Sequence, residues 1–176
     1  MTELSESARN KRRIKFIVNN GIIAALYVVL TLPFAQIAYG PLQVRLAELM
    51  TVLPAFSIAT LPGITLGCFL ANLFNPNNLG PVDIICGTLA TLIAGVLSYL
   101  IGKKNKMFGI IPPVVVNGLV VGGYLPFLLM DSASEVTFQV MAVSMLEVAG
   151  SEAALLVVLG LPFIAIIKRT KIKDFL

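Results

Sequence analysis

Charged residues are confined to a few short stretches of this chain, and the apolar runs between them set its architecture. No Asp, Glu, Lys or Arg occurs between Phe16 and Val44, or between Leu49 and Val82. The first apolar run, about Phe16 to Ala38, is long enough to cross a hydrocarbon layer of roughly 30 Å. Pro33 near its far end predicts a kink. Two shorter segments follow: Leu46 to Thr60, interrupted at Pro54, and Ile64 to Phe74, which lies beyond the breaker Leu61-Pro62-Gly63. Asn75 to Pro81 is a turn by composition. Three longer apolar segments then run from Val82 to Ile101, from Met107 to Met130, and from Phe138 to Ile167. The pattern predicts an all-α integral membrane protein, a single bundle of six transmembrane helices over residues 14–168. A polar tail at 1–13 precedes it and a basic tail at 169–176 closes it.

Composition agrees with that reading. Of 176 residues, 57% are hydrophobic and 12% charged, and the mean hydropathy of +0.93 exceeds what a water-soluble core requires. There is no His, so the commonest general base and metal ligand is missing, which argues against hydrolysis or a metal centre and calls for no cofactor. Cys68 and Cys86 lie inside apolar runs without CxxC spacing and read as small packing residues. The basic start leads into an apolar run without a small-residue cleavage site, which predicts a retained first span, not a signal peptide.

The positive charges sort by position. Arg9, Lys11, Arg12, Arg13 and Lys15 precede the first span, Lys103, Lys104 and Lys106 fill a central loop, and Lys168, Arg169, Lys171 and Lys173 end the chain. With both termini cytoplasmic, every Lys and Arg except Arg45 falls inside, while Asp131 and Glu135 fall outside. These charges read as topology signals in a lipid bilayer and not as a nucleic-acid surface. The same topology gathers Tyr39 to Gln43, the Asn75 to Pro81 turn and the Asp131 to Glu135 loop on the outer face, an arrangement suited to capturing a solute.

Ionisable groups at membrane depth are costly and usually functional. Arg45 and Glu48 are spaced i, i+3 on a predicted helix, close enough to form an intrahelical ion pair. With Gln43 before them, they offer an amide, a guanidinium and a carboxylate to a polar heterocycle. Asp83 opens the fourth segment, where it would complement the helix dipole or line the outer site. Glu147 is the deeper carboxylate, roughly 15 Å from the outer end of the sixth helix at about 1.5 Å per residue. Ser144 and Ser151 share its face, so Glu147 is expected to face the bundle interior and meet a ligand, Arg45 or Asn117. Glu152 lies about 140° further round and is expected to face elsewhere. Asn72 and Asn117 read first as helix–helix hydrogen-bonding residues and second as ligand contacts. Gly21 and Ala25 form a small-xxx-small pattern that admits another helix, within the bundle or from a partner.

No GxxxxGK[ST], HExxH or Gly-rich dinucleotide motif is present, so energy for active transport must come from another subunit or an ion gradient. The blocks Tyr39 to Glu48, Pro62 to Asn72 and Leu79 to Leu92, in order, resemble the QueT family. That family comprises substrate-binding S components of energy-coupling factor (ECF) transporters, assigned to queuosine precursors. The similarity covers about Ile14 to Ile167. It implies a multi-pass subunit in the cell membrane that binds queuine or aminomethyl-7-deazaguanine from outside. It also implies docking on a shared transmembrane coupling subunit driven by two cytoplasmic ATPases, with Gly21 and Ala25 on the docking face. A guanine-like edge has two N–H donors beside a carbonyl, so Glu147 or Glu48 is the expected acceptor, with an amide or arginine serving the carbonyl. The resemblance thus implies a binding subunit, not an enzyme. Three other readings remain: an S component for another small vitamin, an intramembrane transferase using Glu147 as base, and a structural or channel-forming subunit.

Overall fold

The computed structural model describes residues 2–39, 44–77, 79–130 and 135–170, and every regular element among them is helical. Four helices are long and apolar enough to cross a membrane, and two apolar ones are shorter. Helix α1 (Thr2–Thr31) buries Asn20, Ile23, Ala24, Tyr27 and Thr31, the i, i+3, i+4 spacing that puts one stripe on the bundle. Pro33 falls in a 3-10 turn at Leu32–Phe34, followed by one helical turn, Ala35–Ala38.

Helix α2 (Leu46–Ala55) is wound entirely as a 3-10 helix with Pro54 inside it. Runs of this winding beyond 3–4 residues are uncommon, and here the surroundings account for it. The helix is inserted into the bundle and touches all five others, so packing on every side outweighs the poorer hydrogen-bond geometry. Ala47, Met50 and Leu53 join a core with Ile23 and Tyr27 of α1 and with Ile64, Cys68 and Ala71 of α3 (Leu61–Leu73). Val52 packs on Leu156 and Ile164 of α6 (Phe138–Arg169). The Lys106 ammonium donates to the Ala55 carbonyl, placing a cation on the last turn of α2, where it complements the helix dipole.

Small residues set the helix separations. A Cβ on Gly67 would stand 2.6 Å from the Tyr27 Cβ, and one on Gly63 would stand 2.7 Å from the Asn20 carbonyl oxygen, so α3 lies directly on α1. Asn20 also accepts from the Gly63 amide at 2.6 Å and donates to the Ala59 carbonyl. Helix α4 (Gly80–Gly102) begins at Gly80 with φ +85°, a left-handed conformation that favours glycine. Helix α5 (Lys106–Leu129) begins where Asn105 Oδ1 accepts from the Met107 amide. Its Gly118 and Gly122 meet Ala149 and Met145 of α6. Helix α6 begins where Thr137 Oγ1 accepts from the Val140 amide. Both α4 and α6 contain a π turn, at Asp83–Gly87 and Leu156–Gly160.

The bundle therefore has two distinct ends. Asn20, Ala55, Ala59 and Lys106 meet at one, whereas Ala35, Tyr39, Asn72 and Asn77 meet at the other.

Candidate functional site

In the half of the bundle nearer Tyr39, four ionisable side chains from three helices and the segment before α2 turn away from the surface. Arg45 is 5% exposed, Glu48 3%, Asp83 1% and Glu152 5%. Burial of so many charges requires partners, and each has some. Arg45 precedes α2 in extended backbone, so its side chain does not follow the helix face. Its Nε donates to the Ala38 carbonyl at 3.1 Å, its guanidinium lies 4.5 Å from the Tyr39 ring centroid, and Nη2 stands 3.5 Å from Asp83 Oδ1. The expected Arg45–Glu48 ion pair is thus replaced by an Arg45–Asp83 pair, because the helical-face argument fails for a residue outside the helix.

Glu48 instead accepts from the Tyr27 hydroxyl at 2.6 Å. The amide of Asn117 on α5 lies between two carboxylates, 2.8 Å from Glu152 Oε2 and 3.5 Å from Glu48 Oε2. Asp83 stands in the first turn of α4 as its position predicts, with its side chain turned inward to accept from the Tyr124 hydroxyl at 2.7 Å. Asn72 donates to the Asp83 carbonyl at 3.0 Å and accepts from the Tyr39 hydroxyl at 3.2 Å, joining α3, α4 and the segment after α1. A Cβ on Gly87 would meet the Asn72 amide at 2.8 Å and the Tyr124 hydroxyl at 3.2 Å. Only a glycine lets the polar groups close in over this turn of α4.

These groups surround a cavity of about 10 Å³, lined by Arg45, Glu48, Gly87, Thr91, Asn117 and Glu152, with Val121 and Val148 as its apolar wall. That volume is about enough for one water. Three polar atoms here are buried without a hydrogen-bond partner: Arg45 Nη2, Asp83 Oδ2 and Glu152 Oε1. The arrangement can offer a solute a guanidinium donor and two carboxylate acceptors, at the cost of moving the helices apart. Among the described residues no cluster of His, Cys, Asp or Glu could hold a metal ion.

Of the residues expected from sequence, Arg45, Glu48, Asp83, Asn72 and Asn117 come together. Gln43 lies outside the described residues. Glu147 does not join them: it is exposed and lines a separate, mostly apolar groove of about 470 Å³ between α5 and α6. The expectation of an inward Glu147 is corrected by Glu152. On α6 between Phe138 and Leu155 the buried positions are Ser144, Val148, Glu152 and Leu155, one stripe at helical spacing, and Glu147 lies off it. Ser151 is half-buried and donates to the Val148 carbonyl of its own helix. Tyr39 stands in the outer stretch expected to border the site, whereas Tyr27, Tyr124 and Gly87 had no place in the sequence-based site. The pointer to the two tyrosines was a phenol inside an apolar run, where a buried hydroxyl needs a partner. Gly21 has open space around it and Ala25 is exposed, so this pair does not mediate packing among the described residues of the bundle.

No solved structure matches this chain. A curated protein, the queuosine precursor transporter QueT of Lactococcus lactis subsp. cremoris (strain MG1363), is 36% identical over 92 residues, covering 51% of this chain and 53% of that protein. The chain thus spans about half the length of the curated relative it matches. The family model described as QueT transporter matches residues 17–169, which includes every described residue of the buried cluster, three of the four helices able to cross a membrane and the larger part of the first; the chain is a multi-pass membrane protein and belongs to the QueT transporter family.

Proposed function

We propose that this chain is the substrate-binding S component of an ECF-type importer and binds a queuosine precursor, queuine or aminomethyl-7-deazaguanine. The observation that carries the reading is the convergence of Arg45, Glu48, Asn117 and Glu152 on one cavity inside a bundle of apolar helices, with Asp83 paired to Arg45 beside it. A guanine-like edge presents two N–H donors beside a carbonyl. Asp83 Oδ2 is an unpaired acceptor, and Arg45 Nη2 is an unpaired donor on the same ion pair. Together they complement that edge. The chain catalyses no reaction of its own, and ATP is hydrolysed by two partner subunits.

The reading includes six membrane helices with both termini cytoplasmic and the cell membrane as location. It is supported by the basic clusters in the first half of α1, between α4 and α5, and at the end of α6. In that orientation Tyr39, Asn72 and Asp83 lie toward the outside. The short helices α2 and α3 span with the help of a thinned or locally deformed bilayer. Gly21 and Ala25, on the outer stripe of α1, form the face that meets the coupling subunit.

Isothermal titration of the purified chain in detergent with a panel of 7-deazaguanines, guanine and flavins tests the function. Saturable binding of a deazaguanine by this chain alone, with uptake into vesicles only when the coupling subunit and ATPases are added, is the expected result. Saturable binding of a flavin or another vitamin, with none of a deazaguanine, would replace the substrate. Uptake by the chain alone would remove the S-component reading. Gly21→Leu is expected to leave binding unchanged and to reduce uptake by the assembled transporter.

A further inference from the structure

The buried site brings together more carboxyl groups than its one guanidinium can pair with. Arg45 is one guanidinium against the three carboxylates Glu48, Asp83 and Glu152, a formal balance of −2. Arg45 is partly committed: Nε goes to the Ala38 carbonyl and the guanidinium lies over Tyr39, while Nη2, 3.5 Å from Asp83 Oδ1, makes no hydrogen bond. Lys106 is bound to the Ala55 carbonyl at the other end of α2. Glu48 and Glu152 are therefore joined through a neutral amide, Asn117 Nδ2, at 3.5 and 2.8 Å. The Tyr27 hydroxyl, also neutral, completes Glu48. Glu152 Oε1 lines the cavity, is buried and has no donor.

A bridging nitrogen with hydrogens directed at two carboxylates is the geometry an ammonium group also satisfies, with the charge that the amide lacks. We propose that Glu48 and Glu152, held by Asn117, form a subsite for an organic ammonium group, so that the site selects a base carrying a cationic amine over the same base without one. This inference rests on the deazaguanine reading above and adds a division of labour to it. Arg45 and Asp83 receive the edge of the base, and Glu48 and Glu152 receive its amine. Selectivity follows because a charged substituent supplies Glu152 with the donor and counter-charge it lacks, an interaction a neutral substituent does not make.

The test compares three probes on the wild-type chain by titration calorimetry: 7-aminomethyl-7-deazaguanine, 7-cyano-7-deazaguanine and 7-deazaguanine. The aminomethyl base is expected to bind at least about tenfold tighter than either neutral base. In Glu152→Gln that preference is expected to collapse to about twofold or less, and an unchanged melting transition in detergent shows that the variant is folded. Should Glu152→Gln bind nothing, Glu48→Gln is measured in the same way and the wild-type ratio decides. Equal binding of charged and neutral bases by the wild type would overturn the subsite and leave the base reading standing. So would tight binding of a neutral base that requires sodium or potassium, since a metal ion would then hold the place of the amine. No binding of any of the three would overturn the base reading and the subsite with it.

Discussion

Glu147 and Glu152 lie little more than one turn apart on α6, yet they line two unlike spaces. The groove beside Glu147 is about 470 Å³, open and walled by Leu125, Leu129, Val140 and Val143. The cavity beside Glu152 is about 10 Å³ and is lined by Arg45, Glu48, Asn117 and Glu152 opposite Val121 and Val148. Volume and chemistry are separated in this bundle: room is found where there is little to recognise a polar solute, and recognition groups crowd where there is little room. The large groove offers apolar contact without convergent donors and acceptors, whereas the small cavity has unpaired polar atoms of both kinds. A site of the second sort must widen on binding, and part of the binding energy is spent on that movement.

The comparison breaks most visibly at Arg45. Arg45→Met leaves Asp83 buried without its counter-charge and is expected to cost about 3–5 kcal/mol. That cost would be read as a large fall in melting temperature in detergent, with loss of base binding. Tyr27→Phe removes a 2.6 Å hydrogen bond to Glu48 and is expected to cost about 1.5–3 kcal/mol, measured the same way, with weaker binding of the aminomethyl base. Gly67→Ala would place a methyl 2.6 Å from the Tyr27 Cβ, and the repacking of α1 against α3 is expected to cost about 1–3 kcal/mol. Its effect on ligand affinity should follow that of Tyr27→Phe, because the displaced ring bears the hydroxyl that holds Glu48. Glu147→Gln is expected to change stability by less than about 0.5 kcal/mol and base affinity by less than about twofold. A loss of binding in that variant would return the site to the groove.

Much of the bundle is legible in the chain because apolar runs and their breakers are one-dimensional signals. Pro33 marks the end of α1, and the isolation of Arg45, Glu48 and Asp83 marks the site. The choice between Glu147 and Glu152 is less accessible. Each sits near a serine, and either could define a polar stripe when α6 is read alone. What decides is the neighbour: Gly118 and Gly122 of α5 receive Ala149 and Met145, which fixes the rotation of α6 and turns Glu152 toward Asn117. A rotation set by contact between helices far apart in sequence has no local signature. The Arg45–Asp83 pair is hidden for a related reason, since the extended backbone at Arg45 removes it from the helical periodicity that predicts a Glu48 partner.

The winding of α2 has a consequence for what evolution or engineering can do to it. With three residues per turn, Glu48, Thr51 and Pro54 stand in one file and Ala47, Met50 and Leu53 in the next, all of them buried. One inserted or deleted residue between Glu48 and Pro54 would turn everything beyond it by about 120° and exchange whole files between neighbours. Lys106 holds the far end on Ala55, so the error would accumulate toward the charges. Length changes in multiples of three alone preserve the facing of α2, and the segment should tolerate substitution better than any change of length.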